Sequence, residues 1–499
     1  MHTPWYLALL VPSVLSAQAG MKAAAQTITP EDIGRRISTI AHDSMLGRDN
    51  PSRGLELTAH YVASEFRRLG LRPAGEKGSY FQRFELSRWT VDPVRSSITL
   101  QSPDSRRVLR VGEEVRYVDG AIPPGPLRGS VMIMAGSLEP GNDLRDRIPL
   151  VLIDYTKPLP ASLGPDIYRL AASGVRAVLL LSNRDSATFV ARLRAAAQPR
   201  LRRDEARDQD SIAPILEVHE RTLGGLLAGL DIHPDRVRRT PGQTRRPITR
   251  MDAEIRLSRN VQSRADLPNV IGILEGSDSA LRHEYLAFSA HIDHIGLSPT
   301  RPDSINNGAD DNASGVAGLL ELAEAFSRPE ARPRRSLLFL APSGEEPGLL
   351  GSAHFTEHPT VPLESIVADI NMDLIGRNWP DSVIAVGLEQ SDLGETVRTV
   401  TGAHPELRMT PIPDRWPEER IFYRSDHYNF ARNGVPILFF TSGTHADYHR
   451  PTDEPARIDT EKESRLIQLL FYLGHAVASR TERPQWLAES YRQIVERKQ

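Results

Sequence analysis

After Leu267 the chain alternates short apolar runs with helical patterns, and this constrains its fold more than any other feature. The runs at 269–274, 285–290, 336–340, 365–370 and 435–440 have the length of buried strands. Residues 314–326 and 466–477 carry apolar positions at helical spacing. Alternation of this kind predicts an α/β fold, a doubly wound, mostly parallel sheet with helices on both faces. Ligands of such sheets gather beyond the carboxyl ends of the strands, so the residues at those ends carry the functional information.

Four of those ends deliver side chains able to hold a metal. The run at 285–290 leads into His291-Ile292-Asp293, and the run at 336–340 passes through Ala341-Pro342-Ser343-Gly344 into Glu345-Glu346. The run at 365–370 continues through Asn371-Met372 to Asp373, and the loop after Phe440 holds His445, Asp447, Tyr448 and His449. Taken singly, an acid after a strand is usually a solvated turn, and a buried histidine is usually a hydrogen-bonded core residue. Several such ends in one sheet lower that ordinary expectation. Asp310 and Asp311 precede the helix at 314–326, where Ser314 or a neighbour is expected as the cap. There they face its positive end, which favours ionised carboxylates. An acidic N-cap explains that pair equally well.

Composition narrows the chemistry. The chain has no cysteine, which removes disulfides, thiolate zinc sites and cysteine nucleophiles together, so a metal here must sit on His, Asp and Glu. Its 499 residues, 39% hydrophobic and 25% charged, suffice for two packed domains, and a net charge of −3 argues against a nucleic-acid partner. Residues 1–19 read as a secretory signal: an apolar run from Trp5 to Leu15, ending on Ala17-Gln18-Ala19. The run is shorter than the ~20 residues of a spanning helix. No later segment has the length and apolarity to span, so an exported protein without stable membrane insertion is expected, periplasmic or extracellular.

Thr29-Pro30-Glu31-Asp32 has the make-up of a helix start, and Leu55, Ala59, Val62, Phe66 and Leu69 mark one face of a second helix that stops at Gly70. These open the N-terminal part of the main domain, 27–119. Over 120–250 the apolar runs Val131 to Ala135, Leu150 to Asp154 and Ala177 to Leu181 alternate with one helix, Ile167 to Ser173. This reads as a separate small α/β unit. Its arginine-rich end, Arg236 to Arg250, reads as a solvated linker. The main domain resumes over 251–485 and leaves a tail, 486–499.

The ordered set A-H-I-D-H-I-G, N-G-A-D-D-N-A-S-G, S-G-E-E-P-G-L-L-G-S, N-M-D-L-I-G and D-Y-H-R-P-T-D resembles the co-catalytic di-zinc aminopeptidases of the glutamate carboxypeptidase and transferrin-receptor-like superfamily. M-L-G-R and S-Y-F-Q-R-F are similar to the family's opening, and 120–250 resembles its inserted protease-associated domain. The resemblance implies the zinc-peptidase fold and two zinc ions per chain. Asp311 would bridge them, His291 and Asp373 would complete one site, and Glu346 and His449 the other. It further implies Glu345 as general base, Asp293 as the acid that fixes the His291 tautomer, and Tyr448 as a phenol near the developing oxyanion. Pro347, and Ser343-Gly344 ahead of the acidic pair, depart from the usual pattern in a loop expected to tolerate them.

The implied activity is that of a secreted metallo-aminopeptidase acting on peptides. A single-zinc, glutaminyl-cyclase-like transferase and a carboxypeptidase share the fold, and Arg377, Arg415, Arg420 and Arg424 are candidates for the basic pocket a carboxypeptidase needs. The segment Y-R-S-D-H-Y also resembles the family and points to Asp426 and Tyr428 as lining the substrate pocket. His294, His354, His427 and His445 have no place in the implied ligand set and are expected at the surface or behind the ligands.

Overall fold

The structure is a computed structural model in which residues 19–160, 162–203, 212–239, 244–298 and 303–496 are described; the expected leader, Ala19 apart, lies outside them. The chain forms two compact units, Met1–Phe84 with Asp266–Gln499, and Glu85–Ala265.

The first unit begins with α1 (Pro30–Ile40), where Thr29 Oγ1 accepts the Asp32 N–H at 3.1 Å and Pro30 occupies a position that needs no donor. In α2 (Arg53–Arg68) the Ser52 hydroxyl caps the helix by accepting from Leu55 N, and Leu55, Ala59, Val62 and Phe66 are buried, as their spacing predicts. Seven of the ten strands of this unit's sheet bear on the site: β1 (Arg259–Leu274), β2 (Tyr285–Ser289), β3 (Ser336–Ala341), β4 (Ile366–Met372), β5 (Ser382–Val386), β6 (Thr410–Ile412) and β7 (Ile437–Thr441). They lie in the order β6-β5-β7-β4-β2-β3-β1. β3, β2, β4 and β7 form a parallel centre, while β1 runs antiparallel to β3 and β5 antiparallel to β7. The sheet is therefore mixed at its margins and parallel where the metal-capable strand ends lie.

Every residue of β3, β4 and β7 is buried, the pattern of strands covered on both faces. The cover comes from two groups of helices. In one, α3 (Gly315–Ser327) and α4 (Thr460–Ser479) pack on each other and on α1; in the other, the short helices Leu350–Glu357 and His427–Ala431 pair. Phe288 stacks on Phe339 at 5.6 Å and Phe326 meets Phe471 at 4.5 Å. Each such fully buried side chain contributes about 1.5–3 kcal/mol. Arg36 of α1 is buried and its guanidinium reaches Glu321 at 2.5 Å, Glu324 at 2.6 Å and Glu65 at 2.7 Å, which ties α1 to α2 and α3. The last residues are not a free tail: Trp486 Nε1 donates to Gly434 O at 2.8 Å, and Ile494 packs on the core.

The second unit is built on one eight-stranded sheet. Its strands, in spatial order, are Arg106–Arg110, Ser97–Gln101, Thr244–Arg256, Leu127–Ala135, Ile148–Ile153, Val178–Ser182, Ile215–His219 and Val115–Asp119. The unit's edges fall at 84/85 and 265/266 rather than at 119/120 and 250/251, because the antiparallel strands at 97–119 pair into this sheet. The arginine run also differs from expectation. It forms the helix Pro234–Arg239 and enters the strand Thr244–Arg256, with Met251, Ala253 and Ile255 buried at strand spacing. Among the described residues no helix is long and apolar enough to cross a membrane.

Candidate metal centre

Loops beyond the carboxyl ends of β2, β3, β4 and β7 meet the turn that precedes α3. Two donor groups result, His291 with Asp311 and Asp373, and His294 with Asp311, Glu346 and His449; within each, the donor atoms lie no more than 4.8 Å from one another. Asp311 belongs to both and divides its oxygens between them. Oδ1 lies 3.6 Å from His291 Nε2, and Oδ2 lies 3.1 Å from His449 Nε2. His291 Nε2 is also 3.3 Å from Asp373 Oδ1, and His449 Nε2 is 3.1 Å from Glu346 Oε2.

The turn that presents Asp311 is fixed from behind. Both oxygens of Asp453 accept from Asp310 N, at 3.1 and 3.0 Å, and Asp453 Oδ2 also accepts from Asp311 N at 3.1 Å. Asn312 Oδ1, not Ser314, accepts from Gly315 N at the start of α3; the Ser314 hydroxyl donates back to Asp310 O. Asp310 turns away from both donor groups, accepting from Gly376 N at 2.6 Å with Oδ2 3.2 Å from His445 Nε2. The buried Arg48 donates only to main-chain oxygens, those of Ile40, Ile292, Asn307, Gly308 and Asp311, and so pins the loops after β2 and before α3 together. Ser425 Oγ donates to Asp373 Oδ2 at 2.9 Å.

Asp293 lies behind His291 and is fully buried. Its Oδ1 is 3.7 Å from His291 Nδ1, and the closer contacts of its carboxylate are with Asn50 Nδ2 at 2.6 Å and the backbone N–H groups of Glu345 and Glu346. It therefore shapes the acidic loop as much as the imidazole.

Packing buried acids and imidazoles together shifts their protonation. Against desolvation, Asp373 and Glu345 hold His291 well above its usual value, and Asp311 and Glu346 raise His449 to about 10. Desolvation and the neighbouring Glu346 charge push Asp311 up to about 6. Glu346 goes the other way, held below the carboxylate range by His294 and His449 in spite of desolvation. Desolvation, with Asp373 and Glu346 nearby, pushes Glu345 well up, opposed by His291.

A cleft opens on this cluster, lined by the polar Asp311, Glu345, Asp373 and Tyr448 and by the apolar Leu374, Trp416, Ile421 and Phe439. The Tyr448 ring stacks on His449 at 3.9 Å, and desolvation with the adjacent acids raises its phenol, which keeps its proton.

The residues expected to line the substrate pocket do not. Asp426 is fully buried behind the cluster, where desolvation raises its carboxyl to about 7, and Tyr428 packs against Phe422 and Tyr423. None of the extra histidines has an exposed ring, so of the two placements expected for them the surface one does not apply. His354 stacks on Phe84, His427 on Phe439, and His445 faces Asp310. His294 lies inside a donor group. Its signal was present in the sequence, as a second histidine three residues after His291 on the same strand end; Arg48 carried none beyond M-L-G-R.

Residues 269–473 match the model of peptidase family M28, a span that contains every donor of both groups. This segment belongs to peptidase family M28. Over 230 residues the chain is 24% identical to the aminopeptidase YwaD of Bacillus subtilis (strain 168), covering 43% of this chain and 46% of that relative. It is 32% identical over 194 residues to a probable zinc metalloprotease of Pyrenophora tritici-repentis, covering 35% of this chain and 44% of the relative. The matched part of the chain thus spans less than half the length of each of these two curated relatives. Among solved structures it resembles an aminopeptidase from Aneurinibacillus sp. strain AM-1 at a TM-score of 0.48 and 17% identity, covering 92% of this chain and 96% of that one.

The donor set fits the metal that an M28 segment implies. His449 Nε2 is buried and makes no hydrogen bond of good geometry, although two carboxylate oxygens lie 3.1 Å from it. Mutually close carboxylate oxygens and imidazole nitrogens, with no thiolate among them, suit zinc, cobalt or manganese.

Proposed function

We propose that the protein is an exported, zinc-dependent aminopeptidase that removes N-terminal residues from peptides at a di-metal centre. The observation that carries this reading is the division of Asp311, with one oxygen toward His291 and Asp373 and the other toward Glu346 and His449. Two zinc ions are assigned to these groups, with Asp311 shared. A metal pair of this kind polarises a carbonyl and lowers the pKa of a bound water.

The chain's own residues supply the rest. Glu345 lines the cleft and belongs to neither donor group, so its carboxylate is free to take a proton from water and pass it to the leaving amine. Tyr448 keeps its phenolic proton and offers it as a hydrogen bond to the developing oxyanion. Asp293 orients the Glu345–Glu346 backbone, and Ser425 orients Asp373.

Trimming from the amino end is favoured over a carboxypeptidase by the state of the arginines. Arg424 alone of the four candidates lines the cleft, and it faces Glu419 at 3.5 Å. Arg377 pairs with Asp447 at 3.0 Å, Arg415 lies over Trp379 and Arg420 over Tyr423. The second unit is assigned as the protease-associated-like insert, and residues 1–19 as the export signal. Zinc content, together with release of amino acids from unblocked, N-blocked and C-amidated peptides before and after chelation, tests the reading. Release that depends on metal and on a free amino end is expected; undiminished activity of the metal-free protein overturns it.

A further inference from the structure

His294 stands outside the donor set that the resemblance implies, yet its ring is fully buried in the cluster. Nδ1 lies 2.8 Å from Glu346 Oε1 and 3.6 Å from Asp311 Oδ2, and the ring meets that of His449 edge-on at 5.6 Å. Its place is built by the backbone. Gly308 has φ +59, and a Cβ there would come within 2.6 Å of His294 Cδ2, so the motif's glycine leaves room for this imidazole. Nε2 has no hydrogen-bond partner among the described residues, so Nδ1 makes the ring's polar contacts.

The two halves of the cluster also differ in the number of donors. Asp311, shared by both halves, and Asp373 line the cleft, whereas His291, His294, Glu346 and His449 do not. Four donors thus gather in one half and three in the other, and the half with three holds Asp373, which lines the cleft. Four protein donors are the mark of a closed, holding site, and three with an open position that of a working one.

We propose that His294 is a fourth metal donor, which makes the half formed by His294, Asp311, Glu346 and His449 the tighter one, first to fill and last to empty. The half formed by His291, Asp311 and Asp373 is then the exchangeable position that meets substrate. The inference rests on the metal reading above and adds an order of filling and a residue that sets it.

The experiment titrates metal-free full-length protein with zinc against a competing chelator, and with cobalt followed by visible absorption. Wild type, His294→Ala, His294→Gln and His291→Ala are compared, with circular dichroism to confirm folding. Wild type should bind in two steps. Both His294 variants should weaken the first step by more than the roughly 10- to 100-fold that loss of an outer-shell partner costs, and should alter the absorption of the first cobalt equivalent. His291→Ala should weaken only the second. First-step affinity and spectrum unchanged in the His294 variants would overturn the proposal, as would recovery of both in His294→Gln, which would assign His294 to positioning Glu346. Wild type that binds no metal sinks the parent reading; wild type that binds two and hydrolyses, with His294 variants titrating alike, sinks this inference alone.

Discussion

Asp293 holds Glu345 by the main chain: its Oδ1 accepts the Glu345 N–H at 3.1 Å, and its Oδ2 accepts the next N–H, that of Glu346, at 3.2 Å. One buried carboxylate therefore sets the loop that carries both the proposed base and a metal donor. Replacing it by an amide keeps its size but turns one acceptor into a donor facing an N–H. Asp293→Asn should lower kcat by about 10- to 100-fold, with a smaller change in KM. Steady-state kinetics at saturating zinc decide the matter, and a variant with wild-type kcat would show that the contact does not matter.

Glu345 lies beside Glu346 in sequence but outside both donor groups. Glu345→Gln should therefore keep wild-type zinc content while kcat falls by about 10²- to 10⁴-fold, the usual contribution of a general base. Elemental analysis and kinetics on one preparation separate the two effects. Loss of zinc in proportion to activity would reassign Glu345 as a donor.

How much of this was legible beforehand differs by level. The parallel centre could be read because β3, β4 and β7 are continuous apolar runs, which only a sheet covered on both faces accommodates. The site's main parts could be read because metal-capable residues fall at successive strand ends. Asp426 was misplaced because a motif shows that a residue belongs near a site, not which way its side chain points. The unit boundaries were misread because antiparallel partners at 97–119 lie far in sequence from the strands they join. Arg48 was hidden for another reason. Its partners are carbonyl oxygens, which every residue type supplies and no pattern reveals.

Those carbonyls make Arg48 a test of how the centre is held. Its guanidinium donates to five of them, from 2.6 Å at Asn307 to 3.3 Å at Asp311. A buried acceptor left without its donor costs about 1–3 kcal/mol. Arg48→Met should destabilise the protein by at least about 3 kcal/mol, and Arg48→Lys should recover only part, because an ammonium has three donors in the wrong geometry. Denaturant unfolding measures the loss, and zinc titration of the folded variant should show weaker binding. A shift under about 0.5 kcal/mol would mean that water replaces the guanidinium.

His427 supplies a pH dependence of stability that can be measured on the metal-free protein. Its ring is fully buried, stacked on Phe439 at 4.4 Å, and its Nε2 donates to Phe422 O at 2.9 Å. Desolvation pushes its pKa down from the usual 6.5 to about 3. The folded-state value lies below the unfolded one, so below pH 6.5 the unfolded chain takes up a proton that the folded chain refuses. The stability this confers is complete above the unfolded value and is lost as pH falls toward the folded one. The loss should approach about 1.4 kcal/mol per pH unit. Unfolding free energies of wild type and His427→Gln should therefore converge or cross as pH falls from 6.5 to 5, the wild type declining more steeply. Parallel curves across that interval would mean that the imidazole charges in place and that its burial is relieved without unfolding.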